Sequence, residues 1–288
     1  MSLPALAPGM TDREFAVFRD LVHRETGIAL GPHKRALLEA RLTKRLRALE
    51  LESFTAYHDY LRQRDERGEE RRRFVNAITT NETAFFREPV HFAHVRDTWL
   101  ATRIALAATS GHRRLRAWSA ACSTGEEPYS LAMTLLERLD DPMRWDVRLL
   151  ASDIDTDVLA RAVAAVYPME SIAKVPDAVL RRHFLRGVGA QAGMVRVRPE
   201  VRALITFRRV NLLDPVWPVR ARFDLIFCRN VLMYFDRPTQ TELVSRLQRM
   251  LAPDGLLVIG QAENLVGLAT DMQRVTSTIY RPPDARAA

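Results

Sequence analysis

Five polar stretches of this chain could bind and orient a small molecule, and four of them follow short apolar runs. Ser119-Ala-Ala-Cys-Ser-Thr-Gly-Glu-Glu-Pro-Tyr-Ser130 comes after the run that starts at Leu115. Its small residues and Gly125 would let a ligand approach the backbone, and a helix N-terminus would follow. A single glycine in place of G-x-G-x-x-G, with Glu126-Glu127 where phosphate would meet repulsion, argues against a dinucleotide pyrophosphate. A neutral or cationic nucleoside-like ligand suits two carboxylates better, although the same glutamates could simply complement a helix dipole. Ala151-Ser-Asp-Ile-Asp155 offers Asp153 as an acceptor for both hydroxyls of an adenosine ribose, and Asp155 as a cap for a helix starting at Thr156. In Asn211-Leu212-Leu-Asp214, Leu212 could pack on an adenine face, with Asn211 or the backbone at its edge. In Cys228-Arg-Asn-Val-Leu-Met-Tyr-Phe-Asp236, Arg229 and Asn230 sit at a buried strand exit, where a polar group is costly without a partner.

The fifth stretch lies upstream, Thr80-Asn-Glu-Thr-Ala-Phe-Phe-Arg-Glu88. Asn81, Thr83 and Arg87 recur there at a helix-like i, i+2, i+6 spacing, and Phe85-Phe86 would anchor the segment. No metal site is expected: the histidines are scattered, the nearest pair being His91-Phe-Ala-His94. Cys122 and Cys228, the only cysteines, can build neither a disulfide framework nor a multi-cysteine zinc site. Cys228 reads as a small core residue.

These residues need a scaffold, and the apolar pattern supplies one. Leu115–Ala121, Val147–Ser152, Ile205–Val210, Phe223–Cys228 and Gly255–Gly260 read as buried strands, with helices at Glu126–Leu139, Thr156–Val166 and Pro238–Leu251 between them. That alternation predicts an α/β fold, a doubly wound parallel sheet covered on both faces. Residues 273–280 read as a late edge strand. Between the second and third strands, the Gly-rich Gly187–Gly193 and the alternating Met194-Val-Arg-Val-Arg198 predict a hairpin insertion, at about 167–204.

Residues 11–75 read instead as helices only. Thr11-Asp12 can cap a helix carrying Phe15, Phe18, Leu21 and Val22, closed near Gly27. A second, begun at Pro32, holds Leu38, Leu42, Leu46 and Leu49 on one face, with Lys34, Arg41, Lys44 and Arg45 on a neighbouring stripe. Ser53 opens a third with Tyr57, Tyr60 and Leu61; Phe74, Val75 and Ile78 belong to a fourth. The expected division is thus a helical domain over 1–75, a linker over 76–95 that contributes to the site, and the sheet domain over 96–288.

The 288 residues and a net charge of +8 are compatible with nucleic acid, but the excess is mixed with acids, as in Arg64–Arg73, and points to an acidic protein partner or a solvated surface rather than to nucleic acid. No apolar run reaches the 18 or so residues of a membrane span; the nearest, Leu100–Ala108, contains Arg103. The start, Met1 to Gly9, lacks the basic and apolar regions of a signal sequence. A cytoplasmic location is the expectation.

Taken together, Asn81–Glu88, Trp118–Ser130, Ala151–Asp155, Asn211–Leu213 and Cys228–Asp236 resemble the motifs of the CheR family, in that family's order, and the resemblance runs from about residue 11 to 280. Cys122 stands where alanine is more usual. The resemblance implies an S-adenosylmethionine (SAM)-dependent methyltransferase with a small helical N-terminal domain and an inserted antiparallel β-subdomain. It implies transfer of methyl groups to glutamate side chains on the cytoplasmic helical domain of bacterial chemoreceptors. By motif, Asn81, Thr83, Arg87, Glu127, Asp153, Asn211, Leu212, Arg229 and Asn230 would contact SAM or its product, and Arg87 and Tyr234 would serve the transfer itself. The basic helix near Lys34–Arg47 would face the receptor, and the β-subdomain near Gly187–Arg198 could dock a receptor peptide by strand addition. A nucleic-acid methyltransferase is the alternative, but Cys228-Arg-Asn-Val231 replaces the Asp/Asn-Pro-Pro-aromatic stretch of base N-methylation. A non-catalytic SAM-sensing module of the same fold fits less well with Asn81, Arg87, Asp153 and Asn230 all in place.

Overall fold

The computed structural model describes residues 9–139 and 141–283, so the stretch read for a signal sequence lies, but for Gly9, outside the described residues. Thr11 caps the first helix, α1 (Asp12–Thr26), in a capping box with Glu14. Gly27 ends it at φ 73°; a Cβ there would meet Leu213 at 2.3 Å, so the turn must be glycine where the helical part lies against the sheet domain. Three more helices follow: α2 (Arg35–Ala48), α3 (Phe54–Gln63), capped by Ser53, and α4 (Glu69–Ile78). Their buried faces, with Phe18, Leu42, Tyr57 and Phe74 fully enclosed, form one core.

The basic stripe of α2 does not survive as one solvated face. Glu70 of α4 is buried against it and needs a cation, so Arg45 donates to both its oxygens at 2.8 and 2.7 Å while the Tyr57 hydroxyl donates at 2.9 Å. Arg41 donates to the Ile78 carbonyl and to Thr80 Oγ1. Lys34 and Lys44 alone of the four stay exposed.

Beyond α4 the chain runs through α5 (Pro89–His94), a π-turn and α6 (Leu100–Ser110) into the α/β part. Its elements are β1 (Arg114–Ala120), α7 (Glu126–Arg138), β2 (Asp146–Asp153), α8 (Thr156–Ala164), β3 (Val166–Pro168), α9 (Asp177–His183), β4 (Phe184–Arg186), β5 (Met194–Val197), α10 (Pro199–Arg202), β6 (Ile205–Arg209), β7 (Phe223–Phe227), α11 (Arg237–Met250), β8 (Leu251–Val258), β9 (Gln273–Arg274) and β10 (Ile279–Arg281). The large sheet has the order β6-β2-β1-β7-β8-β10-β9, parallel as far as β8 and antiparallel after it. Successive side chains alternate between two cores: Ala117, Leu225 and Phe227 face the α7 side, and Trp118, Ile226 and Leu257 face the α11 side.

The expected strands and helices are all present; three details differ. Residues 273–280 make a turn between two short strands, because Val275 N and Thr276 N both donate to the Ile279 carbonyl. The helix expected to reach Val166 stops at Ala164, Ala165 turning left-handed at φ 56°, which frees Val166 to pair with β5. The insertion is therefore a three-stranded antiparallel sheet, β3-β5-β4, rather than a hairpin alone. Among the described residues no helix is long and apolar enough to cross a membrane.

Candidate active site

With β2 and β6 on one side of β1 and β7 and β8 on the other, the strand order reverses between β1 and β7, and ligands of open α/β sheets bind beyond the strand ends at such a point. A cavity of about 430 Å³ lies there, walled on its far side by α2 and by the turn after α1. Asn81, Thr83, Arg87, Glu127, Asp153, Asn211, Leu212, Arg229, Asn230 and Tyr234 all line it. Residues far apart in sequence thus converge on one space of ligand size.

Asp153 ends β2 with its carboxylate buried. It accepts two backbone N–H groups, Ser123 at 2.9 Å and Asp155 at 3.0 Å, which leaves acceptor capacity on both oxygens. Burial pushes its pKa up, and those hydrogen bonds pull against the shift. Asp155 is the helix cap, accepting from Asp157 N and Val158 N, and its other oxygen takes Thr79 Oγ1 at 2.7 Å and Asn81 Nδ2 at 2.8 Å. Asn81 is thereby fixed at the mouth of β2. Its segment is no helix: residues 79–84 form neither helix nor strand, and Phe86 and Glu88 are left-handed at φ 53° and 59°, so the i, i+2, i+6 spacing has no helical basis. Phe85 does anchor the segment, edge-on to Tyr167 and Phe184. Thr83 is partly buried, and its hydroxyl has no hydrogen-bond partner among the described residues.

Gly125 serves packing rather than a ligand. At φ 98°, a Cβ there would meet Ala162 at 2.9 Å and the Tyr167 hydroxyl at 3.0 Å, so α7 starts where α8 presses closest. The two glutamates after it part ways. Glu126 faces the Thr124 hydroxyl, whereas Glu127 accepts from Ser119 Oγ at 2.7 Å and from Arg229 Nη1 at 3.0 Å. Burial pushes both carboxyls up, with the Arg229 charge opposing it at Glu127.

Arg229 is the hub. Its side chain is 1% exposed and bridges Glu127 to Glu88, whose Oε2 accepts at 2.9 Å, and it also donates to the Arg87 carbonyl. The guanidinium lies over Phe92 and Phe227. Asn230, left-handed at φ 58°, donates its amide N–H to Glu263 Oε2 at 2.9 Å and its Nδ2 to Glu88 Oε1 at 3.2 Å. Left-handed Ala121 and Ser123 complete the loop after β1. Cys122 and Cys228 are buried, and burial pushes both thiols well above their usual range.

Asn211 is committed elsewhere than expected. Its Nδ2 donates to the Glu25 carbonyl at 2.9 Å and its Oδ1 accepts Leu213 N, so its side chain ties α1 to the sheet domain instead of presenting an edge. Leu212 is placed by Arg246 of α11, which donates to its carbonyl and stacks on Trp217 at 4.0 Å. At the cavity mouth Arg87 Nη1 donates to the Glu82 carbonyl, and burial lowers the pKa of Arg41. The backbone of Tyr234 accepts Ala29 N, and Ile28 bridges Phe235, so the helical part is stitched to the rim.

Sequence reasoning passed over Glu88 and Glu263, which hold the walls. Each carried a signal: Glu88 directly follows Arg87 in a stretch already singled out, and Glu263 follows the last parallel strand, much as Asp153 ends β2.

A doubly wound sheet whose switch-point cavity holds an acidic residue at the end of β2, with no G-x-G-x-x-G loop, fits the class of SAM-dependent methyltransferases. Residues 13–79 match the all-alpha domain of CheR methyltransferase and residues 81–281 its SAM binding domain, so the chain belongs to the CheR methyltransferase family. A relative named chemotaxis protein methyltransferase 2, from Pseudomonas aeruginosa, is 46% identical over 94% of both chains. The chemotaxis protein methyltransferase of Salmonella typhimurium is 42% identical over 94% of this chain and 90% of its own. Among solved structures, the CcbJ methyltransferase from Streptomyces caelestis overlays with a TM-score of 0.34 at 17% identity, over 59% of this chain and 55% of that one.

SAM is the cofactor of this family's sheet domain, and the residues present fit it. Asp153 has spare acceptors for ribose hydroxyls, and Leu212 and Val210 give an apolar wall.

Proposed function

We propose that this protein transfers the methyl group of SAM to glutamate side-chain carboxylates on the cytoplasmic helical domain of bacterial chemoreceptors, forming γ-methyl esters in sensory adaptation. One observation carries the reading: the cavity runs from Asp153 and Leu212 in the sheet domain to a mouth lined by Lys34, Arg41, Arg87 and Tyr234, three cations and a phenol. That mouth suits an incoming carboxylate. In this reading residues 1–75 face the receptor, residues 76–95 carry Asn81, Thr83 and Arg87 to the site, and 96–288 bind SAM through Glu127, Asp153, the Asn211 backbone, Leu212, Arg229 and Asn230.

SAM, when bound, supplies an electrophilic methyl group on a sulfonium centre. A glutamate side chain is ionised near neutral pH, so no residue has to remove a proton, and the task left to the chain is placement. Arg87 presents a planar fork that matches a carboxylate bidentately, and Tyr234 offers a hydroxyl beside it. Arg229 and Glu88 hold the Arg87 backbone, so the fork starts from a fixed point. Closure of the mouth by the receptor would exclude water and strengthen these contacts. The β3-β5-β4 sheet, with β4 at a free edge beside the compact Gly187–Gly193 loop, is the candidate second contact for an extended receptor peptide.

Transfer of labelled methyl from SAM tests the reading, with receptor-rich membranes and total RNA as competing acceptors. Alkali-labile counts on the membranes are expected, since an ester releases its methyl group as methanol. Alkali-stable counts, or counts on RNA, would overturn it.

A further inference from the structure

Glu263 lies in the loop after β8, 7% exposed, and its side chain reaches the loop after β7. Sheet bonding between these strands ends where Cys228 N donates to the Val258 carbonyl at 2.9 Å, so the N–H groups beyond it need other acceptors. Glu263 supplies them. Its Oε2 accepts from Gly260 N at 2.6 Å and Asn230 N at 2.9 Å, and its Oε1 accepts from Met233 N at 3.3 Å. The two loops touch here: a Cβ on Gly260 would meet Asn230 Nδ2 at 2.5 Å and Glu263 Oε2 at 2.8 Å. Met233 is the second residue of the short turn Leu232–Tyr234, which starts at Val231, whose side chain cannot accept a hydrogen bond. Gln240 of α11 holds the carbonyl side of that turn, donating to Leu232 and Phe235 at 2.9 and 3.0 Å. Glu263 caps the N–H side from another loop. It is not among the residues that line the cavity, whereas Asn230, Met233 and Tyr234 are.

We propose that Glu263 is a positioning residue that sets two parts of the site at once: Asn230 on the SAM wall and, through the turn it caps, Tyr234 at the mouth. Its oxygens divide the work, Oε2 fixing the Asn230 backbone and Oε1 fixing the turn. Asn230 is then held at both ends, since its side-chain Nδ2 donates to Glu88 at 3.2 Å. A carboxylate suits this place because both of its oxygens accept, and its burial is offset by the N–H groups it collects. Glutamine separates the two tasks. It has one acceptor oxygen, which belongs in the Oε2 position where two donors meet it. Its NH2 group then faces Met233 N–H, donor against donor, so Asn230 keeps its anchor and the turn loses its cap.

The inference rests on the cavity being the SAM site with methyl transfer at its mouth, and the experiment separates the two. Binding of S-adenosylhomocysteine by calorimetry, kcat for methyl transfer to receptor-rich membranes, and amide hydrogen exchange by NMR are measured for the wild type, Glu263→Ala and Glu263→Gln. Glu263→Ala is expected to weaken binding roughly tenfold, the lower end for one hydrogen bond to a charged group, and to lower kcat as well. Glu263→Gln is expected to bind within about threefold of the wild type yet lose roughly tenfold in kcat, with faster exchange at Met233 N–H and continued protection at Asn230 N–H. A folded Ala variant with wild-type affinity, a Gln variant with wild-type kcat, or unchanged exchange at Met233 overturns the proposal, whatever happens to the melting temperature. If the Ala variant does not fold, the Gln variant decides alone. Failure of the wild type to bind the ligand sinks the cavity assignment and the proposal with it. A wild type that binds but transfers no methyl sinks only the acceptor reading, and affinity and exchange still decide the role of Glu263.

Discussion

Replacing Arg229 by methionine removes the one cation between two buried carboxylates, and its cost follows from the geometry. The guanidinium is 1% exposed and pairs with Glu88 at 2.9 Å and Glu127 at 3.0 Å, each carboxylate being 12% exposed. Breaking a buried pair by removing one partner costs about 3–5 kcal/mol, because the remaining charge stays desolvated. At roughly 2–4 °C per kcal/mol for a domain of this size, the melting temperature should fall by about 6–20 °C. The loss should also depend on pH. At Glu88, burial pushes the pKa up, but Arg229, Asn230 and Gln261 outweigh it and hold it below the usual value, so Glu88 stabilises the wild type above its unfolded pKa and loses this as pH falls through the folded one. At Glu127 burial wins, so its cost is relieved as pH falls through its raised pKa. Without Arg229 both carboxyls rise, and acid relieves both. Denaturant unfolding at pH 7.5 and at about pH 5 is the assay, and the gap between variant and wild type should narrow in acid. Adding Glu127→Gln to Arg229→Met should restore part of the stability at pH 7.5. A loss under about 1 kcal/mol, or a gap that is the same at both pH values, would refute the reasoning.

Asp153→Ala should weaken SAM binding roughly 10- to 150-fold, the range of a charge-assisted hydrogen bond, in a folded protein; calorimetry showing wild-type affinity would end its ribose role. Arg87→Ala should lower methyl transfer far more than it lowers the melting temperature, and Arg87→Lys should not rescue it, since an ammonium lacks the planar fork; near-normal turnover by the Lys variant counts against a bidentate role. Charge reversal at Lys34 and Lys44 together should raise the KM for receptor at low salt without changing SAM affinity. This effect should fade as screening shortens to about 8 Å at physiological salt, and an unchanged KM at low salt would mark the two as solvated surface.

The scaffold was legible because burial writes itself into sequence. A strand covered on both faces must be apolar throughout, and β1, β2, β6 and β7 stand within a residue or so of where their runs predict. The site residues were legible in part. Asp153 and Asp155 divide their work as the spacing suggests, one at the strand end and one at the cap. What stayed hidden was pairing across distance. Nothing local tells that Glu70 will draw Arg45 out of the α2 stripe, or that the Glu25 carbonyl will claim the Asn211 amide, because each partner is brought in by packing of separate elements. The i, i+2, i+6 pattern misled for a related reason: the conformation from Thr80 to Glu88 is set by Phe85 in the neighbouring core and by Arg229, not by local periodicity.

Phe86, Glu88, Ala121, Ser123 and Asn230, five of the seven left-handed residues other than glycine among the described residues, belong to the three loops around the cavity. Each such residue carries a backbone cost of roughly 1–2 kcal/mol that an isolated loop would relax. Here the surrounding packing holds them, so these loops take their shape when the chain folds and need little ordering when a ligand arrives. Their tolerance to drift is narrow in an uncommon way. A β-branched side chain at any of the five is opposed by the backbone before its own chemistry matters, while glycine would ease the torsion and loosen the wall. Substitution at the rim of the cavity is therefore constrained by dihedral angles as much as by contact with what binds there.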